Sequence, residues 1–156
     1  MKRIIKTFVM GCVLGTPALA QDLNFSEVHT EACLQEAIGP GDRHDCIGAS
    51  ANQCMAQSFG GESTVGMGGC LAREHDYWDG RLNETYQQLR AQHAQGDAAV
   101  VDNLRDMQRA WLTYRDARCD YEYAQWGGGT GGGPAILACQ MQTTAEQVFV
   151  LEQNLR

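Results

Sequence analysis

Glu74, Asp76 and Asp79 put three carboxyl groups within six positions of one another, the raw material for acid–base cleavage of a glycosidic bond. On an acidic helix, however, such residues far more often form a solvated face. His29 with Cys33, and His75 with Asp79, stand one helical turn apart and could share a metal ion. Zinc sites ask for tighter pairs such as Cys-x-x-Cys, and the closest cysteines here, Cys46 and Cys54, have seven residues between them. The stretch GGESTVG around Ser63 resembles a nucleophile elbow, but its closing glycine comes one residue too late and no strand precedes it. WGGGTGGGP, residues 126–134, lacks the lysine of a phosphate loop, and Pro134 stands where the helix would begin. No catalytic, cofactor or metal site is assigned, and nothing in the sequence signals an enzyme.

The cysteines take their meaning from the first twenty residues. MKRIIK is basic, TFVMGCVLG is a short apolar run, and TPALA ends in small residues at Ala18 and Ala20. This is the pattern of a secretory signal peptide over residues 1–20, with cleavage expected before Gln21. Residues 21–156 then form one helical domain, exported to a periplasm or secreted. A lipoprotein box ending at Cys12 would leave too short an apolar core, so anchoring there is disfavoured. Export leaves Cys33, Cys46, Cys54, Cys70, Cys119 and Cys139, an even set that reads as three disulfides with fifteen possible connectivities.

Residues 21–156 hold nineteen acidic side chains against nine basic ones, all arginine, for a net charge of −10. Such a surface disfavours nucleic acid and anionic membrane and permits steering toward a basic protein.

Three long amphipathic helices must carry these groups. Leu71, His75, Trp78, Leu82, Thr85 and Leu89 recur in steps of three and four. Val100, Leu104, Met107, Trp111, Tyr114 and Tyr121 keep the same rhythm, with Arg118 between the last two, as do Leu137, Met141, Thr144, Val148, Leu151 and Leu155. Gly96 and Asp97 suit a tight turn between the first two helices, and Pro134 suits the start of the third. Upstream, SEVHTEACLQEAI and DCIGASANQCMAQ read as two short helices split by the turn GPGDR. The fold class is therefore all-α: a disulfide-stapled helical bundle.

In that bundle the glycine run is a helix–helix connection. Cys119 lies eight residues before Gly127 and Cys139 six after Gly133. In an antiparallel pair, those offsets bring the two thiols to nearly one height, about 9–12 Å below the loop at 1.5 Å per residue. A Cys119–Cys139 link would clamp the helices and leave the loop itself free to be floppy. Local pairing favours Cys33–Cys46 and Cys54–Cys70 for the remainder, with the other connectivities open.

Two strings carry a family resemblance. D-x-x-L-N-x-x-Y maps onto Asp79, Leu82, Asn83 and Tyr86, and Q-R-x-W-x-x-x-R-D-x-x-C onto Gln108, Arg109, Trp111, Arg115, Asp116 and Cys119. From Cys70 to Leu151 the chain resembles the LprI-like lysozyme-inhibitor family. The resemblance implies a small exported helical protein with disulfides, no cofactor, and a basic partner such as c-type lysozyme. An envelope protein without inhibitory activity is the alternative. Where the family pattern has Thr-x-x-Arg after the last cysteine, this chain has Thr144 and Gln147, one positive charge fewer. The motif residues suit a polar network across two helices, with Arg115 forked onto a carboxylate to set their register. For a basic partner, acidic helix ends such as Asp42, Asp45 and Glu62 are the expected contacts, because the glycine run offers only Thr130.

Overall fold

The computed structural model describes residues 22–155, so the expected signal peptide and Cys12 lie outside the described residues. Within them the chain is all helical: α1 (Val28–Glu36), α2 (Pro40–Asp45), α3 (Ala49–Gln57), α4 (Thr64–His93), α5 (Ala98–Ala124) and α6 (Gly132–Glu152). The three long helices fall where periodicity predicts. The expected GPGDR turn is itself the short helix α2, because Pro40 stands at its first turn and the Asp42 carboxylate accepts from the amides of Ile38 and Gly39.

The bundle is built around α4 and α6. They run parallel, the N-terminal turn of one beside that of the other, with Gly68 against Leu137, and α5 returns antiparallel between their ends. Trp78, Leu82 and Leu89 on α4 meet Met141, Ala145, Val148, Phe149 and Leu151 on α6 to form the dry centre. Trp78 and Phe149 meet edge to face at 5.5 Å, an arrangement that aligns ring edge with ring face. Ser63 starts α4 by accepting from Gly66, so the serine of the elbow-like stretch is a helix cap. Asp97 caps α5 through the Ala99 amide, as expected.

All three disulfides are present, Cys33–Cys46, Cys54–Cys70 and Cys119–Cys139, each with its Cα atoms 5.5–5.7 Å apart. The first joins α1 to the end of α2, the second α3 to α4, and the third α5 to α6.

One seam departs from expectation. Val100, Met107, Tyr114 and Tyr121 were expected inside, yet all four are exposed. The inward stripe of α5 is Leu104, Gln108, Trp111, Arg115, Arg118 and Cys119, half of it polar. Covalent attachment through Cys119 and polar bonds to α6 replace apolar burial there. Arg118 donates to Thr143 and pairs with Glu146 at 3.7 Å, and Gln147 donates to Gln108. The position that lost its family arginine thus makes a neutral bond across the same helix pair.

Candidate functional site

The carboxylates do not form a pair. Glu74 is fully buried, because it, and not His75, continues the α4 seam between Leu71 and Trp78. Its Oε1 accepts from the Thr30 hydroxyl (2.9 Å), the Gly48 amide (2.8 Å) and the Trp78 indole (3.1 Å), and its Oε2 from the Ala51 amide (2.6 Å). Thr30 and Ser50 exchange two further bonds of 3.0 and 3.1 Å. The first amides of α3, which no intrahelical carbonyl can satisfy, are thereby capped from outside by α1 and α4. The solvated face expected for Glu74 is corrected to a buried knot joining three helices. Asp79 is half-buried at the groove between α4 and α5, where Asn83 donates to it at 3.0 Å. With Glu74 fully buried and both its oxygens engaged, the two cannot flank one sugar.

The metal pairings fare no better. Cys33 is held in a disulfide, and among the described residues no cluster of three His, Cys, Asp or Glu could hold an ion. His75 is partly buried, with Nε2 enclosed and without a hydrogen-bond partner. Burial pushes its pKa below the usual 6.5, Arg115 adds to that, and Asp79 and Asp76 oppose it.

The family-motif residues converge. Asp79, Asn83 and Tyr86 from α4 and Gln108, Arg109 and Trp111 from α5 line one groove of about 390 Å³ between these helices. Their polar bonds run mostly along their own helix: Asn83 to Asp79, and both Nε and Nη2 of Arg115 to the neighbouring Asp116 at 3.0 and 2.8 Å. Arg115 is largely covered and lies 5.2 Å from the Trp111 ring, whereas Asp116 is exposed. Gln108 crosses to α6 through Gln147. Register between α4 and α6 is instead set by Glu152, which binds Arg81 at 2.7 Å and also Arg43 of α2. No sequence signal pointed to Glu152, a lone carboxylate at a helix end.

At the opposite end lies the glycine run, and it is ordered by contacts of its own. Gly127 and Gly128 have φ of 54° and 86°, values that side chains resist, and they turn the chain out of α5. Gly129 donates to the Trp126 carbonyl at 2.8 Å and Gly132 to that of Gly129 at 3.1 Å. A Cβ on Gly131 would run into the Trp126 ring, and one on Gly132 would press on Tyr123. The expectation of a floppy loop is corrected: the glycines form a seat for two aromatic rings.

The fold and its clamps define a disulfide-stapled helical bundle whose buried polar groups join helices. The family of the lysozyme inhibitor LprI matches residues 54–151, from the end of α3 through α6, and the chain belongs to that family. An uncharacterized 17.7 kDa protein in the puhA 5′ region of Rhodobacter capsulatus is 27% identical over 150 residues, covering 89% of this chain and 90% of that one. No solved structure matches the chain. Among the described residues no helix is long and apolar enough to cross a membrane.

Proposed function

We infer that this is an exported, non-enzymatic binding protein that inhibits lysozyme. The observation that carries the reading is the family match, which spans two of the disulfides, both motif strings and all three long helices. Charge supports it: residues 21–156 carry an excess of ten negative charges, and lysozymes of the c type are basic, so the two fields attract. The scaffold supports it too. Three disulfides and a fully satisfied buried knot hold a rigid surface, and a rigid surface loses little entropy when it occludes a cleft.

The acidic contacts expected from the sequence do not form one patch. Asp42 and Asp45 sit on α2, beside the α6 C-terminus through Arg43 and Glu152, whereas Glu62 lies at the other end, before α4. Asp42 is also engaged in capping α2.

The test is a titration of the oxidised 21–156 protein against a c-type lysozyme, following cell-wall lysis at low and at physiological salt. Inhibition is expected, with association slowed as salt rises, since screening acts on the encounter. Unimpeded lysis at both salts, with the protein in large molar excess, would leave the envelope-protein alternative.

A further inference from the structure

We propose that the end of the bundle formed by the α3–α4 turn, the start of α4 and the α5–α6 loop is the face that docks the basic partner. This inference rests on the inhibitor reading and adds the surface that would serve it. The end is unusually apolar for solvent. Phe59 is 98% exposed, Val65 71%, Tyr121 66% and Trp126 52%, with Tyr123 close behind. Exposed aromatics of this kind are the residues that dominate protein–protein contacts. Two of these rings are also fixed in place. The Trp126 and Tyr123 rings lie on Gly131 and Gly132, and the Cys119–Cys139 bond clamps the helices just below. For these two, little side-chain freedom remains to be lost on docking.

The charge of this end selects the partner's sign. Residues 59–69 and 119–137 contain Glu62, Asp120 and Glu122 and no arginine, lysine or histidine. Arg118, just before Cys119, is turned to Glu146 and Thr143 of α6. Asp120 and Glu122 close the C-terminal end of α5, where the helix dipole favours cations and no basic residue is present in the last turn. A local preference broken at an exposed site, beside aromatics left in water, is the pattern expected where binding has shaped the sequence. Together these features match a basic protein surface. The exposed stripe of Val100, Met107 and Tyr114 on α5 has no such frame, since Arg105, Arg109, Asp102 and Asp106 pair with one another along it.

The experiment measures binding of the oxidised protein to immobilised c-type lysozyme for the wild type, Phe59→Ser, Tyr121→Ser and Asp120→Lys, with Val100→Ser as the control. All four positions are exposed, so equal melting temperatures are expected and are checked first. Affinity about tenfold or more weaker in Phe59→Ser and Tyr121→Ser, slower association in Asp120→Lys, and an unchanged control would support the face. Wild-type binding that all three variants retain would overturn it while leaving the inhibitor reading intact. A wild type that does not bind would overturn both. A concentration-dependent dimer abolished by Phe59→Ser would assign the face to a second copy of the chain and overturn the proposal.

Discussion

Replacing Glu74 tests whether the buried knot holds the N-terminal helices to the bundle. In Glu74→Ala, the Thr30 hydroxyl, the Gly48 and Ala51 amides and the Trp78 indole all lose their acceptor in a site closed to solvent. An unsatisfied buried donor costs about 1–3 kcal/mol, so four of them total roughly 4–12 kcal/mol, less whatever water entering the vacated space restores. Even the lower figure is a large part of a domain's usual stability of about 5–15 kcal/mol. Glu74→Gln is milder. Its carbonyl oxygen can keep the three bonds made at Oε1, but its amide nitrogen would face the Ala51 N–H, donor against donor. About 2–4 kcal/mol is expected from that lost charge-assisted bond and the desolvated amide. Urea denaturation of the oxidised proteins gives both values, and hydrogen exchange at Gly48 and Ala51 localises them. The order wild type, Gln, Ala should appear in stability, with exchange at the start of α3 accelerating first. A Glu74→Ala protein as stable as wild type would refute the reasoning.

The other expectations are smaller. The Cys119→Ser, Cys139→Ser double variant should lose about 3 kcal/mol, the chain-entropy value for a loop of this length, measurable in urea; six free thiols in the native oxidised protein would contradict the whole framework. His75 is held below its usual pKa, so between that depressed value and about 6.5 the unfolded chain binds more protons than the folded one. Stability should therefore be complete above about pH 6.5 and decline as pH falls through that window, and His75→Gln should flatten this part of a melting-temperature profile. Arg115→Ala should cost only about 1 kcal/mol, because its carboxylate partner is exposed; a thermal loss above about 3 kcal/mol would reveal a buried partner instead.

Much of this architecture was legible in residue spacing. The seams of α4 and α6 follow a helical period that only burial explains, and the offsets of Cys119 and Cys139 from the glycine run reflect helical rise, a purely local geometry. The failures have physical causes. Glu74 and His75 are adjacent, and either fits the period between Leu71 and Trp78; hydrophobicity favours the histidine, whereas the uncapped amides of α3, remote in sequence, select the carboxylate. On α5, Val100, Met107, Tyr114 and Tyr121 repeat every seven residues as a buried stripe would, but the helix is rotated by the Cys119 bond and by Gln108 and Arg118 reaching α6. For the candidate site, the two motif strings announced themselves, but their meeting in one groove depends on how α5 lies against α4. The Trp126 seat leaves no mark in the sequence, where glycines signal conformational freedom; here they make room for rings.

The order of the bridges along the chain has a consequence for how the molecule is made. Among the described residues the six cysteines pair in chain order, Cys33 with Cys46, Cys54 with Cys70 and Cys119 with Cys139, across separations of 13, 16 and 20 residues. No bridge encloses or interleaves with another, so none must wait for a distant segment to arrive. From Cys33 onward, a chain emerging from its N-terminus would find each correct partner as the next thiol to appear, and oxidation in that order gives these three bridges without reshuffling. Long-range contacts such as Thr30 and Gly48 onto Glu74, and Arg43 onto Glu152, need the later helices. Covalent assembly can thus run ahead of packing, hairpin by hairpin, with the final helix closing the core.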